Sequence, residues 1–595
     1  MSNLIKLTRS FNPPLKQNYS STGSFQEQKA AERAIQYLVS DPQGSVYLTT
    51  PMVPEILVSL CMARYSRTEL SAKELLWREF VGNKRWIPWK TILKGKESLD
   101  KMFNLQKAQE VAERILLQYG DDSVFELASV HLFFDRISMP AAKIIEDIRI
   151  GLSPLEKSTR YVVFDQKDSS GDYSYFKDPK IMESKHKDLY LLAMRKSFEF
   201  YTEVVSSFQD HFKKQKPLEK EEFDDLSKSG TRVAFSKLTD ERSIKAAKSA
   251  YTRSIRSKAC DVARGLLPAA TLTNVGVSVN ARALGYLLMK LSASSLAENQ
   301  MLGFEGLRES KKILPKFFDV VDNPHGLAYS EYLRKSEIEM KSVARKLLQG
   351  VKKEPAPMVD LVEMSQDCEV NVVAGLLYPY ANLSLRQILK IVKKLSQVKR
   401  GEILHRSLKH RKDRRHKPPR GFELGGYEIV FDILSNFGAF RDLHRHRMLT
   451  QQRQAYTTEH GFDMPDEFLE IGKSEGFLEV MNMMNEARSK VARDFPEESQ
   501  YLTSLAHKVR YYFGMNLREA FWLTELRSVP QGHFHYRTIV QEMYKLAMKK
   551  YPFLKNLGFG DGQFVNMDDH RQNLERMAAM QRIERKLAEL EQKYS

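Results

Sequence analysis

Two stretches of this chain can be laid over each other: IEDIRIGLSPLEKSTRYV (145–162) on DLHRHRMLTQQRQAYTTE (442–459), and, downstream, VNARALGYLLMKLS (279–292) on MNLREAFWLTELRS (515–528). In the second overlay Asn280 and Arg282 fall on Asn516 and Arg518. On identity counts alone this is a weak repeat, and it gains specificity only from the motifs it carries. Around these segments the pattern is chiefly helical, as in 105–118 and 281–301, where apolar residues recur at helical spacing. Shorter β-rich runs at 127–135 and 426–437 each precede an Arg-containing segment, as a strand feeding a helix would.

The 595 residues are 42% hydrophobic and 28% charged, a globular composition with enough chain to bury a large core without disulfides. Cys61, Cys260 and Cys368 form no CxxC pair, which excludes a disulfide framework and a cysteine-based zinc module. The N-terminus lacks a long apolar stretch and no run approaches the ~18–20 residues of a membrane span. A cytoplasmic protein without a membrane partner is expected. The formal net charge of +18 favours polyanionic partners without naming them.

The expected organisation is an N-terminal arm and helix over 1–45 and a first domain over 46–330 with a charged helical insertion at about 166–245. A linker at 331–356 runs into a Gly and Pro-Ala-Pro stretch, and a second domain covers 357–595. The densest basic run, 399–420, reads in isolation as a nucleic-acid patch or targeting signal. Segment 571–594 reads as a charged amphipathic helix that closes the fold or mediates assembly.

The chemistry-bearing residues divide between the two copies. The second has Arg445-His446-Arg447; the first has Ser153, Glu156, Ser158, Arg160 and Tyr161, with Ser158 ten residues after Ile148. Together these resemble the flavin-dependent thymidylate synthases, whose motif is Arg-His-Arg, seven residues, then Ser-x-Arg-Tyr. Each copy keeps what the other has lost. Ile148-Arg149-Ile150 stands at the Arg-His-Arg slots of the first copy, and Arg453, Ala455, Thr457 and Thr458 replace the Glu, Ser, Arg and Tyr of the second. The family's Asn-x-Arg, followed by an Arg eleven residues after the Asn, is matched by Asn516, Arg518 and Arg527; in the first copy Leu291 takes that last slot. An Ala-Arg-x-x-Leu-Pro element survives as Ala263–Pro268 with Arg264, against Gln500 in the second copy. Ala63–Ser66 and Gly120–Glu126, the latter including Ser123, resemble flavin-contacting elements, with Arg420–Glu423 at the latter position in the second copy.

The resemblance implies an α+β fold of two tandem domains, each a sheet with many helices. It implies conversion of dUMP to dTMP, with methylenetetrahydrofolate as carbon donor and NADPH reducing bound FAD. No protein nucleophile is then needed, because the cofactor carries the redox and carbon-transfer chemistry. Arg527 would stabilise charge on the uracil carbonyl. Arg160, Ser158 and Arg264 would hold the phosphate, Glu156 would bridge nucleotide and flavin, and Arg445 would reach both ligands. Ser66, Ser123, His446, Arg447, Asn516 and Arg518 would complete the FAD site.

Family members are homotetramers with shared sites, so two fused chains are expected to make a pseudo-tetrameric homodimer. Composite sites would draw on both halves. The reciprocal sites, with Ile148, Ile150, Leu291, Ala455 and Thr457, would be dead. Metal is not expected at His444/His446 or His533/His535, which lack neighbouring cysteines or a carboxylate cluster. Nucleic acid is not the expected partner. The alternatives are a related pyrimidine-nucleotide methylase and an inactive, basic nucleic-acid-binding homologue.

Overall fold

The computed structural model describes residues 25–42, 48–50, 53, 55, 57–58, 61–62, 70–81, 122–168, 171–227, 231–352, 354–411, 418–425, 429–557, 565–567, 581–582, 585–586 and 590. The helix expected over 105–118, most of 571–594, residues 412–417 of the basic run and Ser66 lie outside them. Ser123 falls in a short 3-10 helix, Asp122–Leu127, but its side chain is likewise outside the description.

The first pass along the chain gives α1 (Phe25–Leu38), β1 (Ser129–Ile137), α2 (Met139–Glu146), β2 (Leu152–Glu156), α3 (Lys187–Gln215), β3 (Glu222–Asp224), β4 (Arg232–Ala234), α4 (Glu241–Ala263), β5 (Thr273–Asn280), α5 (Ala281–Ala293) and α6 (Pro324–Leu348). The second gives β6 (Val359–Glu363), β7 (Ile429–Asn436), α7 (Phe437–Leu443), β8 (Thr450–Arg453), α8 (Ser474–Asp494), β9 (Lys508–Met515), α9 (Leu517–Arg527) and α10 (Phe534–Lys550). The fold is α+β, and the sequence repeat is a structural one. β1-α2-β2 followed by β5-α5 in the first half has its counterpart in β7-α7-β8 followed by β9-α9 in the second. The sheets are ordered β1-β5-β2 and β6-β7-β9-β8, so the last strand of each repeat sits between the first two. In the second sheet all neighbours are antiparallel, with β7 and β9 paired from Ile429↔Met515 to Asn436↔Lys508. Alternate residues of β5 and β7 are buried, as strands with one face on a core require.

The paired asparagines of the overlay have a local cause. Asn280 Oδ1 accepts from Ala283 N (2.8 Å) and Asn516 Oδ1 from Glu519 N (2.9 Å), each capping the helix that follows its strand. Asn436 caps α7 in the same way, through Ala439 N (2.9 Å). The paired arginines also keep equivalent partners: Arg282 lies 3.4 Å from Glu126 and Arg518 2.8 Å from Glu423.

The chain divides into two compact units, one of residues 1–134, 144–155 and 276–349, the other of 135–143, 156–275 and 350–595. Within the first unit, α5 packs on α6. Much of the expected linker is the exposed helix α6, and one division point, 349/350, falls just after that helix, within the expected linker.

Within the second unit, α3 packs on α4 and α8. The segment expected to be a charged insertion rather than core therefore needs correcting. α3 buries Tyr190, Met194, Phe198, Tyr201, Val205, Phe208 and Phe212, spaced three or four residues apart, behind an exposed face of lysines and glutamates. The average composition of 166–245 conceals that stripe. Among the described residues no helix is long and apolar enough to cross a membrane.

Candidate active site

Five segments of the second unit converge: the loop after β2, the C-terminal end of α4, the end of α7 with the residues that follow it, the last turn of α9 and the first of α10. The Asn436 cap starts α7 and so fixes where Arg441 and Asp442 emerge one to two turns later. Asp442 is the hub. Arg264 Nη2 donates to its Oδ2 (3.0 Å) and Arg445 Nη2 lies 3.9 Å from its Oδ1. Burial alone would raise the Asp442 carboxyl, but Arg264, Arg160, Arg445 and Arg527 together hold it below the usual carboxylate range. Four of the arginines expected to serve the nucleotide are thus gathered about one carboxylate, two from each half of the sequence.

Each arginine is held in place. Arg160 forms a two-pronged pair with Asp261, Nε to Oδ1 at 3.0 Å and Nη2 to Oδ2 at 3.2 Å, and Nη2 also donates to the Gln531 carbonyl (3.0 Å). Burial works against its charge, but Asp261 and Tyr536 raise its pKa well above the ordinary arginine value. Arg264 is buried deeply enough that desolvation lowers its pKa despite Asp442. Its guanidinium lies against α7, where a Cβ on Gly438 would stand 3.3 Å from Nε and Nη2. Tyr536 lies between Arg160 and Arg527, its ring 6.0 Å and 5.9 Å from their guanidinium carbons. A Cβ on Gly532 would come within 2.7 Å of the Tyr536 hydroxyl, so the glycine permits that ring position.

Arg527 ends α9, and its Nε donates to His446 Nε2 (3.0 Å); His446 Nδ1 meets Glu519 Oε1 at 2.8 Å. Burial lowers the Arg527 pKa, and Tyr536 and Asp442 oppose that shift. Beside this chain, Glu156 is clasped by two cations, with Lys143 Nζ on Oε2 (2.8 Å) and Arg441 Nη2 on Oε1 (2.6 Å). The named side chains amount to six cations, Lys143, Arg160, Arg264, Arg441, Arg445 and Arg527. They face four carboxylates, Glu156, Asp261, Asp442 and Glu519, leaving a surplus of two positive charges. Lys143, Arg264 and Arg441 are buried and balanced by buried Glu156, Asp261 and Glu519, so the surplus lies with the partly exposed Arg160, Arg445 and Arg527 about Asp442, where an anion can reach it.

The remaining expected residues are placed differently. Ser158 Oγ accepts from Arg160 N (3.2 Å) and so shapes the turn that presents Arg160. Both Glu156 carboxylate oxygens are engaged inside the protein, as are both His446 ring nitrogens. Asn516 is a helix cap, Arg518 is held by Glu423 and the Pro418 carbonyl, and Arg447 is exposed. Lys508 and Arg510, at the start of β9 after Gln500, pair with Asp463 and Asp432. In the first half Leu291 is fully buried and Ile150 is 80% exposed, so neither slot offers a charged group.

His533 and His535 have protein partners too. His533 Nε2 lies 3.0 Å from the Asp261 carbonyl and its Nδ1 accepts from His535 N, while burial drives its pKa well below the usual histidine value. His535 Nδ1 lies 2.8 Å from Asn436 Nδ2. Among the described residues no group of three or more His, Cys, Asp or Glu side chains is arranged to hold a metal. Part of the basic run is engaged internally: Arg400 pairs with Glu369, and Arg411 makes a two-pronged pair with buried Glu525.

Sequence reasoning missed Asp261, Asp442, Glu519, Lys143, Arg441 and Tyr536. Arg441 and Asp442 lie two to three residues before the His444–Arg447 segment, and Tyr536 lies in the HFHYR run, so proximity to a motif was an available signal for those three. Asp261, two residues before Ala263–Pro268, and Glu519, directly after Arg518, had the same signal; Lys143 had none.

Comparison with known proteins gives a consistent result. A profile of the family described as thymidylate synthase complementing protein matches residues 84–316 and 371–553, one match in each half. A UPF0159 protein of Chlamydia pneumoniae is 38% identical over 519 residues, 86% of this chain and 91% of the relative. One of Chlamydia muridarum is 36% identical over 531 residues, 88% and 94% of the two chains. One of Thermoplasma acidophilum is 32% identical over 519 residues, covering 86% and 95%.

Proposed function

The chain belongs to the thymidylate synthase complementing protein family, and from that premise we propose that it is a flavin-dependent thymidylate synthase. It would convert dUMP to dTMP with methylenetetrahydrofolate as carbon donor and NADPH as reductant. The observation that carries this reading is the gathering of Arg160, Arg264, Arg445 and Arg527 about Asp442 within one chain. A surplus of two positive charges on the partly exposed side of this group, among Arg160, Arg445 and Arg527 about Asp442, matches the charge of a phosphate monoester dianion, and arginine forks suit both a phosphate and a uracil carbonyl edge.

In this reading Arg160 and Arg264 hold the nucleotide phosphate. Asp261 and Asp442 keep their guanidinium groups oriented before the ligand arrives, so little reorganisation remains. Arg527, with Nε committed to His446, meets the uracil through its Nη end and stabilises charge as it develops on the carbonyl. Tyr536 spaces Arg527 from Arg160 and thereby separates the base end from the phosphate end. Glu156 acts indirectly by fixing Arg441. Ser158 shapes the phosphate turn.

The donor set fits FAD in part. Arg445, Arg447 and Arg518 are partly or fully solvent-accessible cations suited to a dinucleotide pyrophosphate, Arg518 being already oriented by Glu423 and the Pro418 carbonyl, whereas buried His446 is bonded to Glu519 and Arg527, and Asn516 to the α9 backbone. Bound FAD would supply the redox chemistry, and Arg445, Arg447 and Arg518 are the residues that would hold it. Ser66 and Ser123 remain part of the proposed flavin site. A site assembled within one chain gives one per chain, hence two in the proposed homodimer.

The test is a pair of substitutions. Arg527→Ala should abolish dTMP formation while leaving flavin bound, and Arg160→Ala should chiefly weaken dUMP binding. Unchanged turnover in Arg527→Ala, or a purely flavin-related defect in Arg160→Ala, would overturn the assignment.

A further inference from the structure

Arg527 Nε carries a hydrogen and no lone pair, so in its 3.0 Å contact with His446 Nε2 the arginine must donate and Nε2 must accept. The ring proton of neutral His446 is then on Nδ1, where Glu519 Oε1 receives it at 2.8 Å. Glu519 and His446 are both buried, so water does not compete for these bonds. Glu519 and Arg527 belong to the same helix: Glu519 sits in the first turn of α9, capped by Asn516, and Arg527 ends it. Eight residues of helix separate them by about 12 Å. His446 therefore braces the two ends of α9 from outside and fixes the angle at which the Arg527 side chain leaves the helix.

We propose that Glu519 is a positioning residue: it holds His446 as the Nδ1–H tautomer, and that tautomer fixes Nε of Arg527 so that the Nη end faces the ligand. This deepens, and rests on, the reading of Arg527 as the group that polarises the uracil. The carboxylate acts by accepting a hydrogen bond, so a neutral acceptor at the same place should serve almost as well. With no acceptor at 519, the ring is free to carry its proton on Nε2, which would turn an N–H toward the Arg527 N–H and expel the guanidinium from its position.

The experiment has a spectroscopic arm and a kinetic arm. In full-length protein labelled with 15N-histidine, the His446 signals, identified by their loss in His446→Gln, should be pyrrole-like at Nδ1 and pyridine-like at Nε2. Glu519→Gln should keep that pattern and Glu519→Ala should lose it. In turnover of dUMP, Glu519→Ala should lower kcat by about 10–100-fold, the scale seen when a partner that orients a functional histidine is removed. KM for dUMP should change by no more than about threefold, and Glu519→Gln should restore kcat to within about threefold of the parent. The proposal is overturned if His446 of the parent protein carries its proton on Nε2, if Glu519→Ala keeps its kcat, or if Glu519→Gln loses as much as Glu519→Ala. If the parent protein does not turn over dUMP, the functional reading fails by itself, and the tautomer measurement still decides this inference.

Discussion

Asp442 gives the sharpest prediction. Its carboxylate lies 3.0 Å from Arg264 and within the influence of Arg160, Arg445 and Arg527. At an effective dielectric near 20, one such contact amounts to roughly 5 kcal/mol of gross attraction, much of it offset by desolvation. Replacing Asp442 by Asn preserves shape but leaves three unbalanced cations where there were two. Removing one partner of a buried pair typically costs about 3–5 kcal/mol, so the unliganded variant should unfold several degrees below the parent by calorimetry. A phosphate dianion would fill the deficit. Saturating inorganic phosphate or dUMP should therefore raise the midpoint of Asp442→Asn by more than it raises that of the parent, and recover part of the lost stability. Equal stability without ligand, or a larger phosphate effect on the parent, would refute the argument that Asp442 is the internal counter-ion of this arginine group.

Other outcomes follow from close approaches and buried groups. Gly532→Ala would place a Cβ 2.7 Å from the Tyr536 hydroxyl, so it should disturb the spacing between Arg160 and Arg527, and dUMP affinity should fall about 10-fold or more with FAD content unchanged. Gly438→Ala crowds the Arg264 guanidinium at 3.3 Å and should raise KM for dUMP, measured by steady-state kinetics, without a comparable loss of kcat. His507 is fully buried, and burial lowers its pKa to about 3. The unfolded chain therefore binds this proton at higher pH than the folded one, and the stability contribution is lost as pH falls from about 6.5 towards 3, by ~4–5 kcal/mol in full. His507→Gln should flatten the pH dependence of the thermal midpoint over that range, and an unchanged slope would exclude His507 as a source of acid sensitivity.

The sequence made the scaffold of this site legible and left its electrostatic partners hidden, for physical reasons. Asn280 and Asn516 stood out because a strand-to-helix junction needs a cap, and a cap is written in one residue. Arg160, Arg264, Arg445 and Arg527 stood out because a motif fixes their spacing. Their counter-ions follow no spacing. Asp261 meets Arg160 across 101 residues and Asp442 meets Arg264 across 178. Such pairs are settled by tertiary packing, and a basic chain gives no local sign that carboxylates are buried among its arginines. His446 was legible as a motif residue but not as a brace, since Glu519 is 73 residues away. The core role of α3 was missed because a helix with one apolar stripe and many lysines averages to a polar segment.

One flavin-bearing dUMP site per chain is tested most directly by titrating the purified protein's visible spectrum with dUMP. An oxidised-flavin band that dUMP perturbs, saturating at one dUMP per chain, is the predicted result. A protein that remains colourless after incubation with FAD, or saturation at two dUMP per chain, would contradict it.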